Sequence, residues 1–135
     1  MNNILFIITG SIAASRCKEI ITLLHNKEVK ISCILTKEAR KYIKISDIKK
    51  LLKYRIFIDE DEKKNKMLHI NLSRDNDMIV VCPATANSIA KFANGYGDNL
   101  SSNTLLASNK KILFVPAMNS FMWYNKINQK NVRLL

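Results

Sequence analysis

The sequence predicts a three-layer α/β fold, a parallel sheet with helices on both faces, in a single domain spanning residues 1–135. Three observations carry this. Four apolar runs, "NILFIIT" (3–9), "VKISCILT" (29–36), "DMIVVCP" (77–83) and "KKILFVP" (110–116), lack polar alternation, as strands buried on both faces do. Each run is followed by a stretch with apolar residues at helical spacing, so the order is βα repeated. Internal repeats, linkers and low-complexity tracts are absent apart from a lysine bias.

The first strand leads into a helix over 11–26, where Ile12, Cys17, Ile20, Ile21, Leu23 and Leu24 recur at helical spacing and Ser11 is the N-cap. After the second strand, "KEARKYI" (37–43) reads as a short helix. "KISDIKKLLKY" (44–54) reads as another, capped by Ser46. "RIFIDEDEKKNK" (55–66) is a short apolar piece followed by a charged loop, and "MLHINLSRDN" (67–76) approaches the third strand. "TANSIAKFANG" (85–95) is a helix closed by Gly95, "DNLSSNTLLASN" (98–109) is a further helix, and "NSFMWYNKINQKNVRLL" is mostly helical.

Composition narrows the function classes. Apolar residues make up 47% of the chain, enough for a real core. The longest apolar runs fall well short of the ~20 residues of a membrane helix. The apolar N-terminus has no basic region before it, so it reads as a buried strand and not a signal peptide. Cys17, Cys33 and Cys82 are odd in number and widely spaced, with no CxxC. They are expected to be free buried thiols of a cytoplasmic protein, with neither disulfide nor metal. The net charge of +11 admits a nucleic-acid partner, and residues 37–55 hold eight basic side chains against two acidic ones. The chain is crowded with Lys, Asn and Ile, a compositional bias, and its charge is spread out without interleaved aromatics or a recognition motif. A solvated helical face is therefore the preferred reading, with no nucleic acid and no membrane as partner.

In such sheets ligands gather outside the carboxyl ends of the strands. Four strand ends carry distinctive sequence: "TGSIAAS", "LTKEA", "CPATANS" and "VPAMNSFMW". Gly10 lets the backbone approach an anion, the N–H groups of Ser11 and Ile12 open a helix, and Ser11 adds a hydroxyl. Neither GxGxxG nor GxxxxGK[ST] is present, which disfavours a nucleotide triphosphatase and suits a single phosphate. Thr36 can reach the same phosphate or cap the next helix. Thr85, Asn87 and Ser88 can meet a planar polar ring or cap their helix. Asn119 can hold a carboxylate or cap the last helix. His25 reads as a solvated helix terminus.

Together "TGSIAA", "HINL", "PATANSIAKFANGYGDNLSS" and "PAMNSFMW" resemble the flavin-dependent cysteine decarboxylases, nearest to the phosphopantothenoylcysteine decarboxylases of coenzyme A synthesis, with the lantibiotic peptide decarboxylases more distant. The resemblance implies FMN on a flavodoxin-like or Rossmann-like sheet, in trimers or dodecamers. It implies the FMN phosphate on Gly10, Ser11 and Ile12 with Thr36 nearby, and the flavin ring against Thr85, Ala86, Asn87, Ser88 and Ala117. His69 corresponds to the family's active-site histidine, Asn119 to the residue that binds the substrate carboxylate, and Met122 falls at the substrate. The implied reaction oxidises the cysteinyl thiol of 4′-phosphopantothenoyl-cysteine to a thioaldehyde, which serves as the electron sink for loss of carbon dioxide. Relatives continue beyond "KNVRLL" into a flap carrying a cysteine, to which none of Cys17, Cys33 and Cys82 corresponds. Lys126 stands where relatives often carry proline. Two readings follow: a decarboxylase, or a shortened FMN-binding flavoprotein without full turnover.

Overall fold

A computed structural model describes residues 2–135. Five strands, β1 (Asn3–Ile8), β2 (Lys30–Leu35), β3 (Ile56–Phe57), β4 (Met78–Ala84) and β5 (Lys111–Pro116), form one sheet in the order β3-β2-β1-β4-β5. All its pairings are parallel. The chain builds outward from β1 to β3, then crosses back to β4 on the other side of β1. The strand order therefore reverses between β1 and β4, which opens a crevice at their carboxyl ends.

The unalternating runs are explained by burial on two faces. Leu5, Phe6, Ile7 and Ile8 of β1 are all buried, each removal from water contributing roughly 1.5–3 kcal/mol. Phe6 and Ile8 join one core with Cys33, Val80 and Cys82 of neighbouring strands. Helices α1 (Cys17–His25) and α2 (Ile45–Leu52) cover that core through Ile21, Ile48 and Leu52. Leu5 and Ile7 join the opposite core with Ile79 and Val81. It is covered by α4 (Leu68–Arg74), α5 (Ala86–Ala93) and α6 (Leu100–Ala107) through Leu68, Leu72, Ile89, Leu100 and Leu105. Short α3 (Asp61–Lys64) precedes α4, and α7 (Ser120–Tyr124) and α8 (Lys126–Leu134) follow β5.

Several elements differ from the sequence expectation. The first helix opens with a 3₁₀ turn over Ile12–Arg16 before becoming α-helical, although Ser11 does cap it. Residues 37–43 supply only a 3₁₀ turn at Ala39–Lys41. Ser46 lies inside α2 and caps nothing; Lys44 precedes that helix without a side-chain bond. Within 55–66, Ile56 and Phe57 pair with β2 as an edge strand and Asp61–Lys64 is helical. "LHINLS" is a helix: Leu68 and Leu72, one turn apart, face the same core, and that spacing outweighs the β-preference of Ile70. The last segment breaks into two helices at Asn125, whose Oδ1 accepts from Ile127 and Asn128 N–H and so starts α8. No helix among the described residues is long and apolar enough to cross a membrane.

Candidate functional site

The β1/β4 crevice is tied together by one buried side chain. Thr9 donates its hydroxyl to the carbonyl of Pro83 and accepts from Thr85 N–H at 3.3 Å, so the two strand-end turns keep a fixed separation. Beyond it the chain turns at Gly10. A Cβ there would stand 2.3 Å from Glu38 Cβ and 3.1 Å from its carbonyl carbon. Glycine is required because the β2 turn packs directly against it. Ser11 N–H bonds Thr9 O at 3.0 Å, and Ser11 Oγ accepts from Ala13 N–H at 3.2 Å. Ser11 N–H, one of the two expected to open the helix, is thus engaged inside the turn.

Thr36 is buried, and its hydroxyl accepts from Ala39 N–H at 3.3 Å. Thr85 caps α5: its Oγ1 accepts from Ser88 N–H at 3.1 Å and lies 2.8 Å from Ser88 Oγ. Asn119 caps α7 through Oδ1, which accepts from Met122 N–H at 2.9 Å and leaves the amide donor unspent. Thr85 and Asn119 cap helices, Thr36 bonds the N–H at the start of a 3₁₀ turn, and all three face a common space.

That space is a cavity of about 570 Å³, within the range of small-molecule sites. Gly10, Ser11, Ile12 and Thr36 line it from the ends of β1 and β2; Thr85, Ala86, Asn87 and Ser88 line it from the end of β4 and from α5; Ala117, Asn119 and Met122 line it from beyond β5. Apolar walls come from Ile7, Val81, Phe92 and Leu105. The donor set fits FMN: hydroxyls and a glycine turn for a phosphate, apolar walls for a ring system, and side-chain amides for its polar edge.

His69 does not line this cavity. It sits in the first turn of α4, with Nδ1 3.0 Å from Glu62 Oε1. The approach is off the line of a straight N–H hydrogen bond, and the contact becomes an ion pair when the imidazole is protonated.

Sequence reasoning missed several lining residues. Thr9 was read only as strand, and Asn99, Ser101 and Ser102 only as helix. The last three build the start of α6. Asn99 Oδ1 accepts from Ser102 N–H at 2.8 Å, while Ser102 Oγ accepts from Asn99 N–H at 3.0 Å. The available signal was the Asn-x-x-Ser spacing directly after "GYGD". Lys91 also lines the cavity, and its Nζ pairs with Asp98 at 3.0 Å. The hydrogen bond from Lys91 holds the Asp98 carboxyl below its ordinary range.

The three cysteines are free and buried. Cys17 Sγ donates to Cys82 O at 3.2 Å, and a hydrogen bond with the Cys82 side chain, together with burial, pushes the Cys17 thiol up. The same bond pulls Cys82 down against burial. Burial pushes the Cys33 thiol up as well. No group of metal-ligating side chains occurs among the described residues.

The chain is 29% identical to a probable phosphopantothenoylcysteine decarboxylase of Streptococcus mutans, over 98% of this chain and 76% of that protein. It is 35% identical to a probable thymidylate synthase of Schizosaccharomyces pombe, over 96% of this chain but 22% of that protein. The chain thus spans about a fifth of the length of that longer curated relative and about a third of a Bacillus subtilis coenzyme A biosynthesis bifunctional protein. Among solved structures, the peptidyl-cysteine decarboxylase EpiD superposes with a TM-score of 0.85 at 32% identity, over 98% of this chain and 79% of that one. A phosphopantothenoylcysteine decarboxylase mutant bound to pantothenoylaminoethenethiol superposes with a TM-score of 0.86 at 28% identity, over 98% and 76%. The model of the flavoprotein family matches residues 1–135, and with a parallel sheet of this order and a cavity of this make-up at its switch point, the chain belongs to the flavoprotein family.

Proposed function

We propose that this chain binds FMN in the β1/β4 cavity and decarboxylates a cysteinyl substrate, 4′-phosphopantothenoyl-cysteine in coenzyme A synthesis. One observation carries the reading: every expected site residue except His69 lines a single cavity, although these residues come from four separated strand ends. Relatives named as phosphopantothenoylcysteine and peptidyl-cysteine decarboxylases support the reaction class.

FMN, when bound, supplies the two-electron oxidation that turns the substrate's thiol-bearing carbon into an electron sink β to the carboxylate. The protein's own groups bind, orient and move protons. Gly10, Ser11, Ile12 and Thr36 hold the cofactor phosphate, and Thr85, Ala86, Asn87, Ser88 and Ala117 face the ring. Asn119 offers its unspent amide donor to the substrate carboxylate without burying a charge, and Met122 packs against the substrate. His69 exchanges the thiol proton or orients the substrate, a role that imidazole suits near neutral pH.

Because His69 and the cavity of its own chain do not meet, the reading includes a homo-oligomer, a trimer or dodecamer, in which neighbouring copies complete the site. Exposed Phe121 and Ile127 on the α7–α8 face, 90% and 71% accessible, fit such an assembly. Free buried thiols fit a cytoplasmic setting. The second reading, FMN binding without turnover, draws on the same separation of His69 from the cavity.

Mixing purified protein with FMN and phosphopantothenoyl-cysteine, and following product mass, decides between them. Loss of carbon dioxide that falls by about 10²–10⁴-fold in His69→Asn, with the protein still yellow, supports the decarboxylase. Yellow protein without product supports the second reading. Colourless protein that takes up no FMN overturns both.

A further inference from the structure

The surroundings of His69 are more ordered than a lone surface histidine requires. Its side chain is 25% exposed, yet Nδ1 is fully buried against Glu62, which leaves the exposure to the rest of the side chain. Two contacts fix Glu62 and the segment that carries it. Asp59 Oδ1 accepts from Leu100 N–H at 3.1 Å, at the start of α6. Three residues on, Glu62 Oε1 accepts from Asn103 Nδ2 at 3.4 Å. Asn103 lies beside the preceding turn, where a Cβ added at Gly97 would stand 2.5 Å from its Oδ1. Helix α6 thus presents Ser101, Ser102 and Leu105 to the cavity and Asn103 to the Glu62–His69 pair.

From this we infer that Glu62 is a positioning residue for His69, setting its tautomer and turning Nε2 away from the carboxylate, with Asn103 holding Glu62 in place. Two bare acceptors 3.0 Å apart would repel, so the nitrogen facing the carboxylate carries a proton. The neutral imidazole is therefore the Nδ1–H form, and its lone pair sits on Nε2, ready to take a proton from a substrate. The catalytic part of this inference rests on the decarboxylase reading above; the tautomer part does not.

His25 and His69 are the two histidines of the chain, so a His25→Gln background leaves His69 alone in a nitrogen-15 spectrum. Recorded above the imidazole range, the spectrum is expected to show a protonated Nδ1 and a bare Nε2. Glu62→Ala is expected to give mixed tautomers and a kcat lowered about tenfold or more, with KM and FMN affinity within about twofold, because general acid–base groups contribute ~10²–10⁴-fold and depend on orientation. Asn103→Ala moves both readouts in the same direction by a smaller factor and serves where Glu62→Ala fails to fold. An unchanged tautomer in both variants overturns the inference, as does an unchanged kcat in Glu62→Ala. Wild-type protein that shows the Nδ1–H form but no turnover removes the decarboxylase reading while the pairing of Glu62 with His69 stands.

Discussion

The β1/β4 crevice and the corner around His69 lie on two sides of α6 and are held in different ways. In the crevice the backbone does the positioning. Strand ends are locked by register, Thr9 spans two turns, and Gly10 is packed against the Cβ and backbone of Glu38. In the corner the positioning runs through side-chain tips, Asp59, Glu62 and Asn103, reaching across some forty residues of sequence. A crevice of the first kind tolerates little change in shape. A corner of the second kind shifts by rotamers, which suits a group that must meet substrate.

The two glycines give the strongest way to break this contrast. Gly10→Ala places a methyl 2.3 Å from Glu38 Cβ and 3.1 Å from its backbone carbon, so the turn must move. A loss of FMN affinity of roughly a hundredfold, about 3 kcal/mol, is expected in a flavin fluorescence titration. Gly97→Ala meets only Asn103 Oδ1 at 2.5 Å and Leu106 Cδ1 at 3.0 Å, both side-chain ends. It is expected to leave FMN affinity within about twofold. Equal losses in the two variants would show that the corner is as rigid as the crevice.

Thr9→Val sharpens the same point with less force. Valine keeps the shape but leaves Pro83 O without its donor and Thr85 N–H without its acceptor, in a buried setting. Unsatisfied buried groups cost about 1–3 kcal/mol, so urea unfolding should shift by that much, with weaker FMN binding besides. A shift below about 0.5 kcal/mol would mean that strand pairing alone holds the two turns.

What was legible in the sequence follows this division. The four main strands and several cavity-lining residues were readable because they occupy fixed offsets from apolar runs, Thr36 directly after β2 and Thr85 after β4, whereas Ala117 came from the family resemblance alone. Thr9 was missed because β1 reads as continuous through it, and a threonine there gives no sign that it bridges to β4. The helix bearing His69 was missed because Leu68 and Leu72 are too few to define a period against the adjoining β-formers. The partnership of Glu62 with His69 had no signal at all. It depends on α3 and α6 meeting in space, and in sequence Glu62 is one carboxylate in a charged run. Ser46 misled in the opposite way, as a good capping residue one position inside the helix.

The smallest expected effect tests whether the cavity rim is held by charge or by backbone. Lys91 Nζ lies 3.0 Å from Asp98, whose carboxylate is about half exposed. The Lys91 hydrogen bond lowers the Asp98 carboxyl, so the folded state favours the ionised form. The stabilisation is therefore present above the ordinary carboxylate range and is lost as pH falls through the lowered folded-state range, below about pH 4. Exposed pairs contribute ~0.2–1 kcal/mol, so Asp98→Asn should cost no more than that at neutral pH, less in high salt and nothing at acid pH. Thermal unfolding of both proteins across pH measures it. If the deficit persists in acid, the loss is not electrostatic but a disturbance of the hydrogen bonds around this side chain, whose Oδ1 also accepts from Ser102 Oγ at 3.2 Å. The rim would then belong with the crevice, held by hydrogen bonds that no titration removes.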